Sequence, residues 1–375
     1  KALGSVSDQT LSLANHVAEN IAVEFPDHYV AMYAYAGNSA PPQIAAHPQV
    51  IIFIATAFQG NRPVSELLDG WSAKARQIAI RDYYDLIIWN RDQPRWMVSS
   101  LRHQIPLYHS RNVIGITAEA GNNWAPMGLN YYVASKLMGD VTCDVDALLD
   151  DYYAHCWHAA APALRRYDGR WRNGERMTAR LLRLSFEDLE EASAAVHDDP
   201  VANARVDLFR LYLYWQYLYR KHNSAQGAEV VATARRAMHF AWRLLETNMI
   251  HAYAQFRELR IWRLPKNFSS SELARWKLSD APEDAAAEST GKKASKRDRK
   301  GGSSPAKPFF THEEIDALCQ AARADLPDPI PVEEREFTPD LIPITETDTP
   351  LPEIAEESRR SEERRVGKEC ATLCR

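Results

Sequence analysis

Residues 50–56, VIIFIAT, decide how the first third of the chain is read. Six apolar residues in a row, most of them β-branched or aromatic, are too few for a core helix. They suit a strand buried on both faces, as in a parallel sheet. Similar β-favouring runs flank it at Tyr29–Tyr35 (YVAMYAY), Tyr83–Trp89 (YYDLIIW) and Val113–Glu119 (VIGITAE). Between and around them lie stretches of helical spacing: Ser7–Phe25, Val64–Ile80, Met97–Ser110 with Pro106 inside it, and Leu129–Met138. The segment from Tyr35 to Val50, AGNSAPPQIAAHPQ, is too rich in proline for a helix and predicts a loop with a turn. Alternating strands and helices predict βαβ units on a parallel sheet, and the strand ends recur at the ~30-residue spacing of such units. Four units make half of a (β/α)8 barrel, and an open doubly wound sheet fits the same pattern. No GxGxxG follows a strand, which weakens the nucleotide-binding form of the latter.

From Asp144 to about Trp262 only helical patterns occur: Val145–Ala159, Arg176–His197, Val201–His222 and Ala228–Ile250. Within LFRLYLYWQYLY, residues Leu208, Leu211, Trp215 and Leu218 share one face and predict a bundle core. Residues 270–308 have almost no large apolar side chains and carry a basic cluster, Lys292 to Lys300, so a disordered linker is expected. Thr311 and Glu314 have capping-box spacing at the start of a short helix, and a Pro-rich extended stretch follows.

Lys+Arg 45 against Asp+Glu 50 gives a net charge of −5, which argues against nucleic acid or an anionic membrane as the main partner. No apolar run approaches the ~18 residues of a membrane span. Cys143, Cys156, Cys319, Cys370 and Cys374 form no CxxC pair, so they read as buried or free thiols; a Cys143–Cys156 bridge is conceivable, and no metal is expected. GxSxG, HExxH and P-loop motifs are absent, against serine hydrolases, zincins and NTPases, and no cofactor is expected.

In a barrel, chemistry sits where the strands end. Those ends supply Tyr33, Tyr35 and Asn38, then Thr56 and Phe58, then Trp89, Asn90, Arg91 and Asp92, and finally Glu119, Asn122, Asn123 and Trp124. The chain has 10 Trp and 16 Tyr, and their gathering here with acids and amides is the chemistry of a sugar site. Sugar rings offer apolar faces to aromatic walls and hydroxyl edges to carboxylates and amides. Glu119 and Asp92 are the candidate catalytic carboxylates, as glycoside hydrolysis requires a pair. Tyr35, Trp89 and Trp124 are candidate stacking walls, with Asn90, Asn122 and Asn123 as hydroxyl binders. Each has a structural alternative: Glu119 as an inward hydrogen-bond partner, and Asp92 as a cap within WNRDQPRW. Asp85, placed early in its strand by this reading, is expected to be structural.

Four stretches resemble a known bacterial family, DUF4838: residues 7–42, 47–58 (HPQVIIFIATAF), 83–94 (YYDLIIWNRDQP) and 118–138 (AEAGNNWAPMGLNYYVASKLM). The resemblance covers about residues 5–265, and PFFTHEEIDALC at 308–319 also looks like family sequence. It implies a glycoside hydrolase-like (β/α)8 barrel distantly similar to α-glucuronidases and β-hexosaminidases, and from it alone an extracytoplasmic location is expected. It also implies earlier barrel strands that are not present, so the chain is expected to be a truncated fragment. The tail RSEERRVGKEC resembles a segment found at the ends of unrelated sequences.

The expected organisation is therefore the last four strands of a barrel at 1–143, a helical domain at 144–265 and a disordered linker at 266–308. An incomplete segment at 309–356 and an artefactual tail at 357–375 follow. The expected function is a glycoside hydrolase-like protein acting on oligo- or polysaccharide. A non-catalytic glycan-binding protein on the same barrel is the rival, and a helical interaction scaffold over 144–265 is a third reading.

Overall fold

A computed structural model describes residues 4–86, 92–172, 177–276 and 310–328. Helix α1 (Val6–Glu24) begins at Ser5, whose hydroxyl accepts from the Asp8 N–H. Strand β1 (Val30–Ala34) follows, then β2 (Val50–Ala55), α2 (Val64–Ser72), β3 (Gln77–Tyr83), α3 (Val98–Ser110) and β4 (Ile116–Glu119). The four strands are parallel in the order β1-β2-β3-β4, with Tyr33 opposite Phe53, Ala55 opposite Arg81, and Tyr83 opposite Glu119. A mixed α/β fold with a parallel sheet is what the alternation of patterns predicts.

One strand lies elsewhere than expected. Residues 77–83 (QIAIRDY) form β3, and the helix before it stops at Ser72 instead of Ile80. Residues 84–86 of the expected strand are not extended sheet, and Ile87 to Arg91 lie outside the described residues. In β3, Ile78 and Ile80 alternate into the core while Ala79, Arg81 and Tyr83 take the other face. Asp85 therefore follows the strand's carboxyl end rather than opening the strand.

All three helices cover the same face of the sheet. Leu11 and Ala18 of α1, Leu67, Leu68 and Trp71 of α2 and Tyr108 of α3 share one core with Met32, Ala34, Val50, Ile52, Ile54, Ile78 and Ile80. Right-handed crossovers between strands in sequential order put every helix on one side. Among the described residues the opposite face is bare of helices: Tyr33 there is 54% exposed, and its ring meets Phe53 edge-on at 5.7 Å. The β1–β2 crossover is a loop with one 3₁₀ turn at Ala36–Asn38, as its prolines predict. Buried Asp8 of α1 accepts from the Gln43 and Ile44 N–H groups and holds it. Gly70 lets this loop lie against α2, because a Cβ there would sit 2.3 Å from Pro41.

A second core is helical. It is built by α4 (Trp124–Gly139), α5 (Val145–Trp157), α6 (Ala161–Gly169), α7 (Ala179–Ala195), α8 (Pro200–Ser224) and α9 (Glu229–Arg243). Short turns follow, with α10 (Gln255–Glu258), α11 (Ser270–Trp276) and α12 (His312–Asp325). Leu211, Trp215 and Leu218 are buried in it, and Leu208 packs against it. The same core takes in Tyr84, Met97, Leu101 and Ile105, so it reaches back to the carboxyl end of β3. Helix α11 occupies residues that the composition assigned to the linker; residues 277–309 lie outside the description. Helix α12 starts at Thr311, which accepts from the Glu314 N–H as the capping-box spacing predicts. It docks on α8 through Arg210, a buried guanidinium paired with Asp207 at 3.0 Å and with Asp316. Cys143, Cys156 and Cys319 are free thiols.

Candidate functional site

The carboxyl ends of the four strands gather the polar and aromatic groups. After β1, the Tyr35 N–H donates to Asn38 Oδ1 (3.1 Å) while the Asn38 amide donates to the Tyr33 carbonyl (2.9 Å). This tight turn leaves Ala36 in the left-handed region and holds Tyr35 half-buried at the strand end. After β2, Phe58 is also left-handed, with φ +65°, and 42% exposed. Its ring stands edge-on between Tyr35 (5.6 Å) and Tyr83 (5.5 Å). Below it, the Thr56 hydroxyl donates to Asp82 at 2.7 Å, and the Tyr83 N–H donates to the same oxygen at 2.9 Å.

Glu119 ends β4 on the bare face. Arg81 of β3 lies opposite Thr117, so its guanidinium reaches diagonally to Glu119 Oε2 at 2.6 Å. Arg81 also lies over the Tyr83 ring, 5.3 Å from its centre. Burial, with Tyr35 and Glu119 nearby, pushes the Tyr83 hydroxyl up to about 12, so it stays a neutral donor at physiological pH. The Tyr84 and Asp85 N–H groups donate to the Glu119 carbonyl at 2.9 and 3.1 Å, which fixes the end of β4 against the loop after β3.

A second network lies deeper. Asn123 is fully buried, and its amide nitrogen donates to Asp85 Oδ2 (2.6 Å) and to Asp92 Oδ1 (2.7 Å). The other Asp92 oxygen accepts from the His251 N–H (2.9 Å) and the Gln255 amide (2.6 Å). The Asp92 carbonyl accepts from the Tyr212 hydroxyl (2.7 Å) and the Gln216 amide (2.5 Å) of α8. These bonds hold Asp92 at φ +56°. Burial outweighs them in setting its acidity and pushes the carboxyl up to about 7. Left-handed non-glycine residues thus follow three of the four strands: Ala36, Phe58 and Asp92.

The expected site residues separate into groups. Glu119 and Tyr35 belong to one chain of contacts running through Arg81, Tyr83 and Phe58. Asn123 and Asp92 meet each other in the buried network, where Asp92 has no surface exposure. Asn122 reaches Asn248 at 3.4 Å near the surface. Trp124 is 53% exposed at the start of α4, edge-on to Tyr131 at 5.6 Å. Trp89 and Asn90 lie outside the described residues. Arg81, Asp82 and Tyr83 were not expected here; the alternation in QIAIRDY is the signal that identifies them. Among the described residues, no group of three or more His, Cys, Asp or Glu side chains could hold a metal ion. No described helix is long and apolar enough to cross a membrane.

This arrangement defines a parallel α/β protein with an acidic, aromatic strand-end cluster. Residues 1–168 match the family model described as domain of unknown function DUF4838, which supports the membership that the strand-end phrases suggest. No curated protein and no solved structure matches the chain.

Proposed function

We propose that the sheet is part of a (β/α)8 barrel wall, and that its strand ends bind an oligo- or polysaccharide in a glycoside hydrolase-like, carbohydrate-active protein. Sequential parallel strands with every helix on one face support the barrel, because a doubly wound sheet reverses its strand order and is covered on both faces. The observation that carries the ligand reading is the run Tyr35–Phe58–Tyr83 beside the Arg81–Glu119 pair. Aromatic groups suit the CH face of a pyranose, and a guanidinium and carboxylate side by side suit its vicinal hydroxyls.

Binding is the reading that this geometry favours over turnover. Glycoside hydrolysis needs a second carboxyl across the bond. Asp82 is tied to Thr56, and Asp92 is buried among five partners: Asn123 at the head of α4, Tyr212 and Gln216 of α8, and His251 and Gln255. Hydrolysis remains the second reading because Glu119 ends a strand on the bare face, where a general acid or base would stand. Titration calorimetry of the full chain with cellohexaose, xylohexaose and chitohexaose, beside turnover of aryl glycosides, tests both. Binding that falls at least tenfold in Glu119→Gln is expected. Turnover lost in the same variant would favour the hydrolase; no binding of any of the three sugars would sink the carbohydrate reading.

A further inference from the structure

We propose that Phe58 is the ligand's stacking platform, and that its left-handed backbone is kept because only that conformation presents the ring between Tyr35 and Tyr83. This rests on the carbohydrate reading above and names a contact within that site. A bulky residue at φ +65° is a strained outlier, since its Cβ crowds the backbone. Such strain persists when surrounding structure overdetermines it, and it concentrates where ligands are held.

The surroundings of Phe58 fit that account. The next left-handed residue, Gly60 with φ +73°, is a glycine, so the loop uses glycine where nothing but the turn is required. At position 58 it carries a large apolar group that is 42% exposed, although a Phe gains little from a surface position. Edge-to-face contacts at 5.6 and 5.5 Å fix the ring from two sides, which lowers the ordering cost of stacking a sugar on it. Tyr83 carries Arg81 over its own ring, so the platform is continuous with the Arg81–Glu119 pair. A core role would bury the ring, as the two cores bury Trp71 and Trp215.

Four variants of the full chain separate the possibilities: Phe58→Ala, Phe58→Gly, Phe58→Trp and Glu119→Gln. Melting temperature and affinity for cellohexaose, xylohexaose and chitohexaose are measured for each. Phe58→Gly should melt above Phe58→Ala, the reverse of the usual order, because glycine removes the strain and alanine keeps it. Both should bind the preferred sugar at least tenfold more weakly than the parent, while Phe58→Trp stays within about threefold. Phe58→Gly melting below Phe58→Ala, or either small variant failing to fold, would overturn the strain argument. If the parent binds a sugar, Glu119→Gln loses it and Phe58→Gly keeps it, the platform is wrong and the site reading stands. If the parent binds none of the three, the site reading fails and takes the platform with it.

Discussion

Asn123 and Asp92 meet at 2.7 Å, amide to carboxylate, with neither side chain exposed. The same amide nitrogen reaches Asp85, so one asparagine at the head of α4 spans two acids that follow β3 in the chain. A buried carboxylate with this many donors is costly to break, because each donor left behind loses about 1–3 kcal/mol. Asp92→Ala orphans the His251 N–H and removes one bond each from Gln255 and Asn123. It should lower stability by more than about 3 kcal/mol in urea denaturation.

The same burial sets a pH dependence. Asp92 is pushed up to about 7 and Asp168, which accepts from the Tyr153 hydroxyl, up to about 6, both chiefly by desolvation. A carboxyl whose folded value exceeds its unfolded value of about 4 holds its proton more tightly when folded. Its stabilising contribution is complete below that unfolded value and is lost as pH rises through the folded one. Glu272 runs the other way: the Ser269 N–H and Arg235 hold it down to about 2, so its contribution is lost only as pH falls below the usual carboxylate range. Between about pH 4.5 and 7 the two buried acids favour the lower pH, against the buried imidazole of His222, which desolvation pushes down and which works the other way. The urea midpoint should be higher near pH 5 than near pH 7.5, and Asp92→Asn should flatten the difference. A midpoint that rises with pH in this window would contradict the assignment.

Gly121 sits over this network. A Cβ there would lie 2.6 Å from Asn123 Oδ1 and 2.8 Å from Asp85 Oδ2. Neither group can retreat without giving up a buried hydrogen bond, so Gly121→Ala should cost about 1–3 kcal/mol by denaturation. An unchanged midpoint would show that the amide and carboxylate can shift together.

The Arg81–Glu119 pair should behave in the opposite sense. Its side chains are 21% and 42% exposed, and pairs of this kind contribute at most about 1 kcal/mol to folding. Arg81→Met should leave the denaturation midpoint nearly unchanged yet weaken the proposed sugar binding tenfold or more. Equal loss of stability and binding would make the pair a structural strut.

Helix α12 supplies a thiol readout. Cys319 is buried against α8, and desolvation pushes its thiol up to about 12, so it should resist alkylation at pH 8 in the native protein. Arg210→Ala takes the shared guanidinium from Asp207 and Asp316, leaving them His312, and should lower the denaturation midpoint. Faster alkylation of the Cys319 peptide, followed by mass spectrometry, should accompany that loss. Equal rates in the two proteins would show that α12 does not depend on this pair for docking.

The sheet was legible where one signal stood alone. VIIFIAT has no helical competitor, and VIGITAE ends on Glu119, a carboxylate on the bare face. The third strand was hidden because Leu67, Leu68, Trp71, Ala75 and Ile78 keep helical spacing past the point where the helix stops. Beyond it, YYDLIIW has the stronger β-forming composition. That shift concealed Arg81, Asp82 and Tyr83 and made Asp85 look like the start of a strand. The Asp85–Asn123–Asp92 network was out of reach for another reason. It joins residues up to 163 positions apart, as Asp92 and Gln255 are, and no local pattern encodes that meeting.

The Asp92 carbonyl, held by Tyr212 and Gln216 of α8, has a consequence for how the molecule opens. Residues 92–97 follow a strand of the sheet, yet their anchors are on the long helix and on Asn130 of α4, which accepts from the Met97 N–H. In hydrogen exchange the Met97 amide should open with the helices, and the amides of β1 and β2 should open as a separate unit. The stretch Asp92–Met97 is thus kinetically part of the helical layer, so the lifetime of a segment that follows the sheet is set by the helices.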